Sequence, residues 1–571
     1  MRLTKNATQI LNARYLKKDI NGKIVETPNA LFRRVAKHIS NIEEINRKEW
    51  ENTFYKVMVN LEFLPNSPTL MNAGLPNGQL SACFVLPVKD SLNSIFTTLK
   101  NAALIHQSGG GTGYNFSKLR PKGDVVTSSG GTSSGPIAFM KIYDAATEYV
   151  KQGGKRRGAN MGILNVEHPD IEDFIKSKSD NVSLRNFNIS IGISDRFMRA
   201  VQLNNDWELI NPRNHTVHKT VRASDIWQTI VEAAWKTGDP GLIFLDTINK
   251  ANPIPKQGGI QTTNPCGEVP LLDHESCNLG SLNLIKMVKT LDGKWKVDWD
   301  KLEQTIATTI RLLDNVISAN HYLLPQVKSK TTKNRKVGLG VMGWAEMLIM
   351  LGLPYASDEA VQLGEKLMAF IQSKSYDASN ALAKERGTFP NWNESIYATE
   401  KRMRNATCNS IAPTGSISVI ANTSYSIEPL YALAYKRVGI LENETQMEIN
   451  PVFLEKMGLL GLWTEELKFE VMKTGSIQQA KSVPKKIRKL FETSLEIPWK
   501  WHLLHQRAFQ RYTDNAVSKT INLLEKTTKQ EISKIYFTAW EYGLKGITIY
   551  RNGSKPNQVL QTCNLNKDDV C

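Results

Sequence analysis

The sequence predicts an α/β fold built on parallel strands, and three observations carry that reading. Short apolar runs with strand character recur along the chain, as in Asn188–Ser194 (NISIGIS), Gly241–Asp246 (GLIFLD) and Val337–Met342. Amphipathic helical patterns stand between them. Clusters of Gly, Pro and Asn punctuate the joins. Strands that alternate with helices pair most readily in parallel, because each helix carries the chain back across the sheet. With 571 residues, 41% hydrophobic and 22% charged, the chain has the composition of an ordinary globular protein with a sizeable core. Length alone suggests about four domains, although large α/β barrels escape that rule.

Residues 1–80 read as a mostly helical N-terminal domain. Thr27–Pro28 opens a helix in which Leu31, Val35 and Ile39 repeat at helical spacing. The Pro-, Asn- and Gly-rich stretch that follows predicts a turn and then a strand ending near Cys83, with helix signals from Ser91 to Ala103. Gly109–Gly135 is the most glycine-rich region. It lacks the strand and βαβ context of a dinucleotide fingerprint, though its backbone N–H groups could cradle phosphates. Gln152–Gly162 adds three adjacent cations, Lys155, Arg156 and Arg157, which suit an anion or simply a solvated basic turn.

A helix from Ser224 carries Ile226, Trp227, Ile230, Val231 and Ala234 on one face and stops at Gly238–Asp239–Pro240. Leu302–Asn320 is amphipathic through Ile306, Ile310, Leu313 and Ile317. Helices at Trp344–Leu351 and Glu359–Arg386 lie between the strand-like Val337–Met342 and Cys408–Val419. The barrel-forming part is expected to span 81–550. The last residues, 551–571, are polar and aperiodic and read as a loose tail.

No apolar run approaches the ~18 residues of a membrane span, and the start of the chain lacks the apolar core of a secretory signal. A cytoplasmic protein is expected. The six cysteines, Cys83, Cys266, Cys277, Cys408, Cys563 and Cys571, form no CxxC and no zinc spacing. In a reducing compartment such thiols are catalytic or buried. The net charge of +17 is dispersed, with denser runs only at Lys328–Lys336 and Lys481–Lys489. That distribution suits small polyanions such as nucleotide phosphates better than a nucleic-acid surface.

The most informative stretch is Gln261–Leu284. Cys266 lies between Asn264 and Glu268, with Pro265 and Gly267 on either side. Pro265 fixes its own φ and extends Asn264, and Gly267 frees the backbone after the sulfur, so the chain forms a tight loop with a thiol at its tip. A lone Cys in a turn would usually be a small buried hydrophobe. An acid and an amide beside it point instead to chemistry on a small ligand. In APTGSIS, backbone N–H groups and the hydroxyls of Thr414, Ser416 and Ser418 suit phosphate oxygens, or an N-capped turn.

Taken together, NSPTLMNAG, GGGTGYNFSKLRPKG, GGKRRGANMG, NPCGE, GLGVMGWAE, APTGSIS, IEPLYALAYKR, DNAVSKTIN and KGITIYRNGS occur in an order that resembles the catalytic subunit of ribonucleotide reductase over nearly the whole chain. The resemblance implies a ten-stranded α/β barrel of two antiparallel five-stranded half-barrels with a central finger loop, preceded by a small helical N-terminal domain. It implies that Cys266 becomes a thiyl radical, Glu268 acts as general base, Asn264 holds the ribose hydroxyls, and Cys83 with Cys277 supplies the reducing equivalents. Substrate contacts are implied at Ser67, Ala82, Asn264, Ala412, Pro413, Thr414, Gly415 and Ser416. Effector loops are implied at Lys118, Arg120, Lys155, Arg156, Arg157 and Asn160, for a deoxynucleotide or ATP. A tail with Cys563 and Cys571 implies recharging by thioredoxin or glutaredoxin, although seven residues between the two thiols is wider than the family's usual close pair.

Within the family, the form that depends on a separate radical subunit has a tyrosine pair near the barrel's end, where this chain reads Thr548–Ile549–Tyr550. The glycyl-radical form has a glycine motif near its C-terminus that is not found after Lys545. The resemblance is therefore to the adenosylcobalamin-dependent form, with cobalt held by no protein side chain. It implies a homodimer acting on ribonucleoside diphosphates, with triphosphates left open, and an N-terminus too short for an ATP-binding control cone. The alternative is a large subunit that needs a separate radical generator. A catalytically silent regulator would have lost one of Cys83, Asn264, Cys266, Glu268 or Cys277, and all five are present.

Overall fold

The computed structural model describes residues 3–76, 78–126, 130–152, 156–438, 445–555 and 560–561. Its N-terminal region is helical. Pro28–Ser40 starts where the Thr27 hydroxyl accepts the Ala30 N–H at 3.2 Å, with Pro28 in the first turn, where a missing N–H costs nothing. Leu31, Phe32, Val35 and Ile39 are fully buried against Phe54 and Met58 of helix Arg47–Val59, and against Ile306, Ile310 and Leu313 of helix Trp299–Ala319. The same junction holds a charge cluster. The buried Glu43 carboxylate lies 2.6 Å from both Arg311 and Arg386, and Asp314 pairs with Arg335 at 2.8 Å and Arg404 at 3.2 Å.

Five strands run parallel in chain order: β1 Cys83–Val85, β2 Gly111–Asn115, β3 Asn160–Asn165, β4 Phe187–Ile193 and β5 Gly241–Phe244. A second parallel set follows. β6 Ser276–Asn283 pairs with β7 Val337–Met342, which bridges to the extended segment at 409–411. That segment bridges in turn to Val517, ahead of β8 Thr520–Leu523, and β8 pairs with β9 Gly546–Arg551. The two sets join antiparallel at both seams, with Cys83 opposite Cys277 and Leu242 opposite Ile547. The result is the expected ten-stranded barrel of two five-stranded halves. A short strand at Phe63–Pro65 adds to the free edge of β6 and ties the helical region to the barrel.

Several boundaries differ from the sequence expectation. Cys83 opens β1 rather than ending a strand, because the preceding Pro- and Gly-rich segment is held by side-chain bonds such as Thr69 Oγ1 to the Leu80 carbonyl. The helices run Leu92–Gln107, Ala223–Thr237 and Asp358–Arg386. The larger correction concerns the glycine-rich region. Gly111 and Gly113 lie inside β2, where a Cβ on Gly113 would meet the Thr263 carbonyl oxygen at 1.7 Å and one on Gly111 would meet Pro265 at 2.8 Å. These glycines make room for another stretch of backbone; they are not a phosphate cradle.

Candidate active site

That stretch is the Cys266 loop. Thr262–Thr263 pairs antiparallel with Pro270–Leu271, which makes a small hairpin inside the barrel. Val269 and Leu271 pack with Val85, Leu279 and the two thiols Cys83 and Cys277, while Ile260 and Leu272 pack with Met161, Ile163 and Ile243. Apolar side chains on both flanks thus seat the hairpin. Polar groups from four strand regions fix its height. Asn115 Nδ2 donates to the Gln261 carbonyl at 2.8 Å, Asn188 Nδ2 to the Pro265 carbonyl at 2.7 Å, and both Ser410 Oγ (2.8 Å) and the Ala516 N–H (2.9 Å) to the Glu268 carbonyl. At the tip, Gly267 has φ +82°, and its N–H closes the turn onto the Asn264 carbonyl at 3.1 Å. Only glycine adopts that backbone without strain. Cys266 is exposed there, while Asn264 and Glu268 are buried at 2% and 3%.

The three thiols, the amide and the acid converge. Asn264 Nδ2 donates to Cys83 Sγ at 3.2 Å, and its Oδ1 accepts the Val269 N–H at 3.0 Å. Cross-strand neighbours of this kind have Cα atoms about 4.5–5.5 Å apart, inside the ~4.4–6.8 Å that a disulfide requires. Burial pushes the Cys83 thiol well above its ordinary range, and the nearby Glu268, Cys277 and Cys266 push it the same way. Burial likewise raises Cys277, against the pull of the Lys336 ammonium. Both therefore stay protonated as thiols. Burial raises Glu268 to about 7 although Asn264 donates to it, and its Oε2 is buried without a hydrogen-bond partner among the described residues. An unpartnered carboxylate oxygen costs free energy in the resting protein and is ready to accept a ligand hydroxyl.

Ala412 packs against the Cys83–Cys277 cluster, which sets the expected phosphate loop beside the thiols. Thr414 takes φ +60°, and helix Gly415–Ala421 begins directly after it. Gly415 is exposed and Ser416 partly so. The Thr414 hydroxyl accepts the Ser426 N–H at 2.8 Å, which leaves its own O–H to donate. Ser418 departs from expectation. It is fully buried and its hydroxyl donates to the Gly415 carbonyl at 3.3 Å, so it does not face a ligand.

Other expected residues divide. Ser67, at the start of helix Ser67–Asn72, has its Oγ 2.7 Å from the Tyr15 hydroxyl. The Ala82 backbone is taken up in the barrel, bonding Cys277 at 3.3 Å and Gly111 at 2.8 Å. Lys118 lies 3.9 Å from Asp273, and Arg120 binds Asp90 at 2.8 Å. Asn160, expected in an effector loop, is instead interior. It is 1% exposed, and its amide bonds Thr112 at 2.8 Å and Thr147 at 2.9 Å, because its side chain projects from β3 into the packed layer beneath helix Pro136–Tyr149. Arg156 and Arg157 pair by backbone with Gln152 and Lys151. Lys155, Cys563 and Cys571 lie outside the described residues. Ile549 packs in the outer core with Leu242 and Ile521, whereas Tyr550 projects to the opposite face and lies near Tyr431. Sequence reasoning missed Asn188 and Ser410. Asn188 left one trace, a polar residue on the face of an alternating strand opposite its isoleucines. Ser410 left none.

The description "Ribonucleotide reductase, barrel domain" matches residues 81–550, and "Ribonucleotide reductase, all-alpha domain" matches residues 1–78. The chain belongs to the ribonucleotide reductase family. Among similar proteins, this reductase is 49% identical to a vitamin B12-dependent ribonucleoside-diphosphate reductase of Thermoplasma acidophilum, over 98% of the chain and 80% of the relative. It is 46% identical to a protein of the same name from Mycobacterium tuberculosis, over 98% of the chain and 81% of the relative. A ribonucleoside-diphosphate reductase subunit alpha of Chlamydia pneumoniae is 30% identical, with 96% of the chain aligned to 59% of that protein. The solved Actinobacillus ureae class Id ribonucleotide reductase alpha subunit superposes with a TM-score of 0.80 at 24% identity, covering 96% and 97% of the two chains, and so shares the fold.

Proposed function

We propose that this reductase converts ribonucleoside diphosphates to 2′-deoxyribonucleotides by a thiyl-radical mechanism that uses adenosylcobalamin. The observation that carries the reading is the Cys83–Cys277 cross-strand pair, bonded through Asn264 to the loop that presents Cys266 and Glu268. The relatives at 46–49% identity have vitamin B12-dependent names, which favours this form over one with a separate radical subunit.

The finger tip fits a bulky cofactor. Cys266 is exposed, and beyond Gly267's own chain neighbours no atom of the described residues lies within 4 Å of where its Cβ would stand. The inner faces of β8 and β9 offer Thr520, Asn522, Thr548 and Tyr550, which would hold the cofactor without a protein ligand to cobalt. When bound, adenosylcobalamin supplies a carbon-centred radical able to take the hydrogen of a thiol.

Cys266 then abstracts the ribose 3′-hydrogen, an exchange between S–H and C–H bonds of comparable strength. Glu268 accepts the 3′-hydroxyl proton, and at about 7 its carboxyl can take and return a proton near neutrality. Asn264 orients the hydroxyls. The 2′-hydroxyl leaves as water after protonation by a thiol. Cys83 and Cys277 give two electrons and two protons in all and end as a disulfide, so one nucleotide and two thiols yield one deoxynucleotide, one water and one disulfide. Ser416, Thr414 and the first amides of helix Gly415–Ala421 receive the phosphates.

The reading also includes a homodimer, specificity control by a deoxynucleotide or ATP, and reduction by thioredoxin or glutaredoxin through Cys563 and Cys571. Family resemblance supports these. The test is dialysed protein given CDP, a dithiol and adenosylcobalamin alone. Deoxynucleotide is expected. Turnover only on adding a metal-bearing subunit would overturn the cofactor assignment.

A further inference from the structure

The phosphate loop follows the 409–411 segment and so stands at the mouth where the second set of strands ends. The opposite mouth is formed where the second set of strands begins, at Thr407, Asp514 and Lys545, and where β5 ends, near Thr247. It holds a cavity of about 330 Å³ lined also by Gln372, Tyr376, Tyr397 and Arg507. That volume admits a small molecule.

The carboxylate in the lining, Asp514, has both oxygens in use, while two cations keep donors to spare. Asp514 Oδ1 accepts from Tyr376 OH at 2.6 Å and Gln372 Nε2 at 3.2 Å, and its Oδ2 accepts the N–H groups of Cys408 at 2.6 Å and Asn409 at 3.3 Å. Lys545 is 6% exposed, and its ammonium donates to the carbonyls of Asp514, at 2.6 Å, and Asn515. An ammonium has three hydrogens, so one is left for another acceptor. Arg507 stacks on Tyr542 at 4.7 Å and, among the described residues, makes no ion pair. A guanidinium so held offers several N–H donors to an oxyanion.

We propose that this second mouth is a binding site for a small oxyanion, a phosphate or a carboxylate, gripped by Lys545 and Arg507. Burial lowers the Lys545 ammonium to about 8, which an incoming anion would offset. The site also reaches the catalytic loop. Asp514 lies two residues before Ala516, whose N–H holds the Glu268 carbonyl at 2.9 Å.

The test is calorimetric titration of the full chain, with nucleotide substrate and effector saturating, by inorganic phosphate and separately by succinate. Binding of one or both is expected, weakened about tenfold or more by Arg507→Glu, where tenfold is ~1.4 kcal/mol. Phosphate alone would assign an inorganic ion or phosphoester, and succinate alone a carboxylate. Lys545→Met should weaken the same event; if that variant fails to fold, the exposed Arg507 still decides. Absence of heat with both probes, or binding unchanged in Arg507→Glu, would overturn the proposal.

Discussion

Glu268 links protonation, stability and rate in one side chain. Its carboxyl rises from 4.5 to about 7, chiefly because burial disfavours the anion. Below 4.5 the folded and unfolded chains both bind this proton and no penalty exists. As pH rises from 4.5 to about 7 the unfolded chain gives it up first, so stability falls, and above 7 the full penalty remains. Glu268→Gln should therefore resist denaturant better than the parent above pH 7 and no better below pH 4.5, as denaturant midpoints at the two ends will show. In the proposed mechanism turnover needs the anion, so the rate of the parent should rise with pH through about 7, and Glu268→Gln should lose about 10²–10⁴ of it with that rise abolished.

The finger hairpin depends on its surroundings for its position. Asn188 Nδ2 holds the Pro265 carbonyl at 2.7 Å, next to the radical cysteine of the proposed mechanism. Asn188→Ala should leave substrate affinity near that of the parent and lower the turnover rate by about 10²-fold, the cost of roughly 1 Å of misplacement at a reacting centre. A KM rise with turnover unchanged would mean that Asn188 serves binding instead. Gly113→Ala is harsher, since the new Cβ would fall 1.7 Å from the Thr263 oxygen and must dislodge the hairpin or the strand. This element also marks where sequence was legible. The Asn264–Glu268 loop, Val337–Met342 and Trp344–Leu351 announced themselves through turn chemistry and periodicity, and the last two fall on the observed bounds. Gly111 and Gly113 did not, because a glycine that admits a distant backbone looks in sequence like one that frees a turn. Ser410 and Asn160 act through partners remote in the chain, which no local pattern encodes.

At the scale of the molecule, helical region and barrel are locked through Glu43, whose carboxylate joins Arg311 and Arg386 across the junction. Burial alone would raise this acid, but hydrogen bonds from Arg311, Asn315 and Arg386 outweigh it and hold the carboxyl below 4.5. Its contribution is complete above 4.5 and is lost as pH falls through that lowered value. Glu43→Gln should cost on the order of 3 kcal/mol near neutrality, read from denaturant midpoints, and should flatten the acid limb of the stability profile. Equal acid sensitivity in parent and variant would move that role to another carboxylate. The barrel itself was foreseen through resemblance and its closure is observed at both antiparallel seams, whereas the segment at 409–411 carries one barrel position on isolated bridges alone.

The seam at Cys83 and Cys277 gives the most direct measurement: peptide mapping of the disulfide after a single turnover of a Cys563→Ser/Cys571→Ser variant, whose tail cannot take over the bond, with adenosylcobalamin and CDP but no external reductant. The account predicts formation of a Cys83–Cys277 bond in proportion to deoxynucleotide made, and neither product nor bond in Cys266→Ala. Deoxynucleotide formed while those two thiols remain free and alkylatable would contradict it.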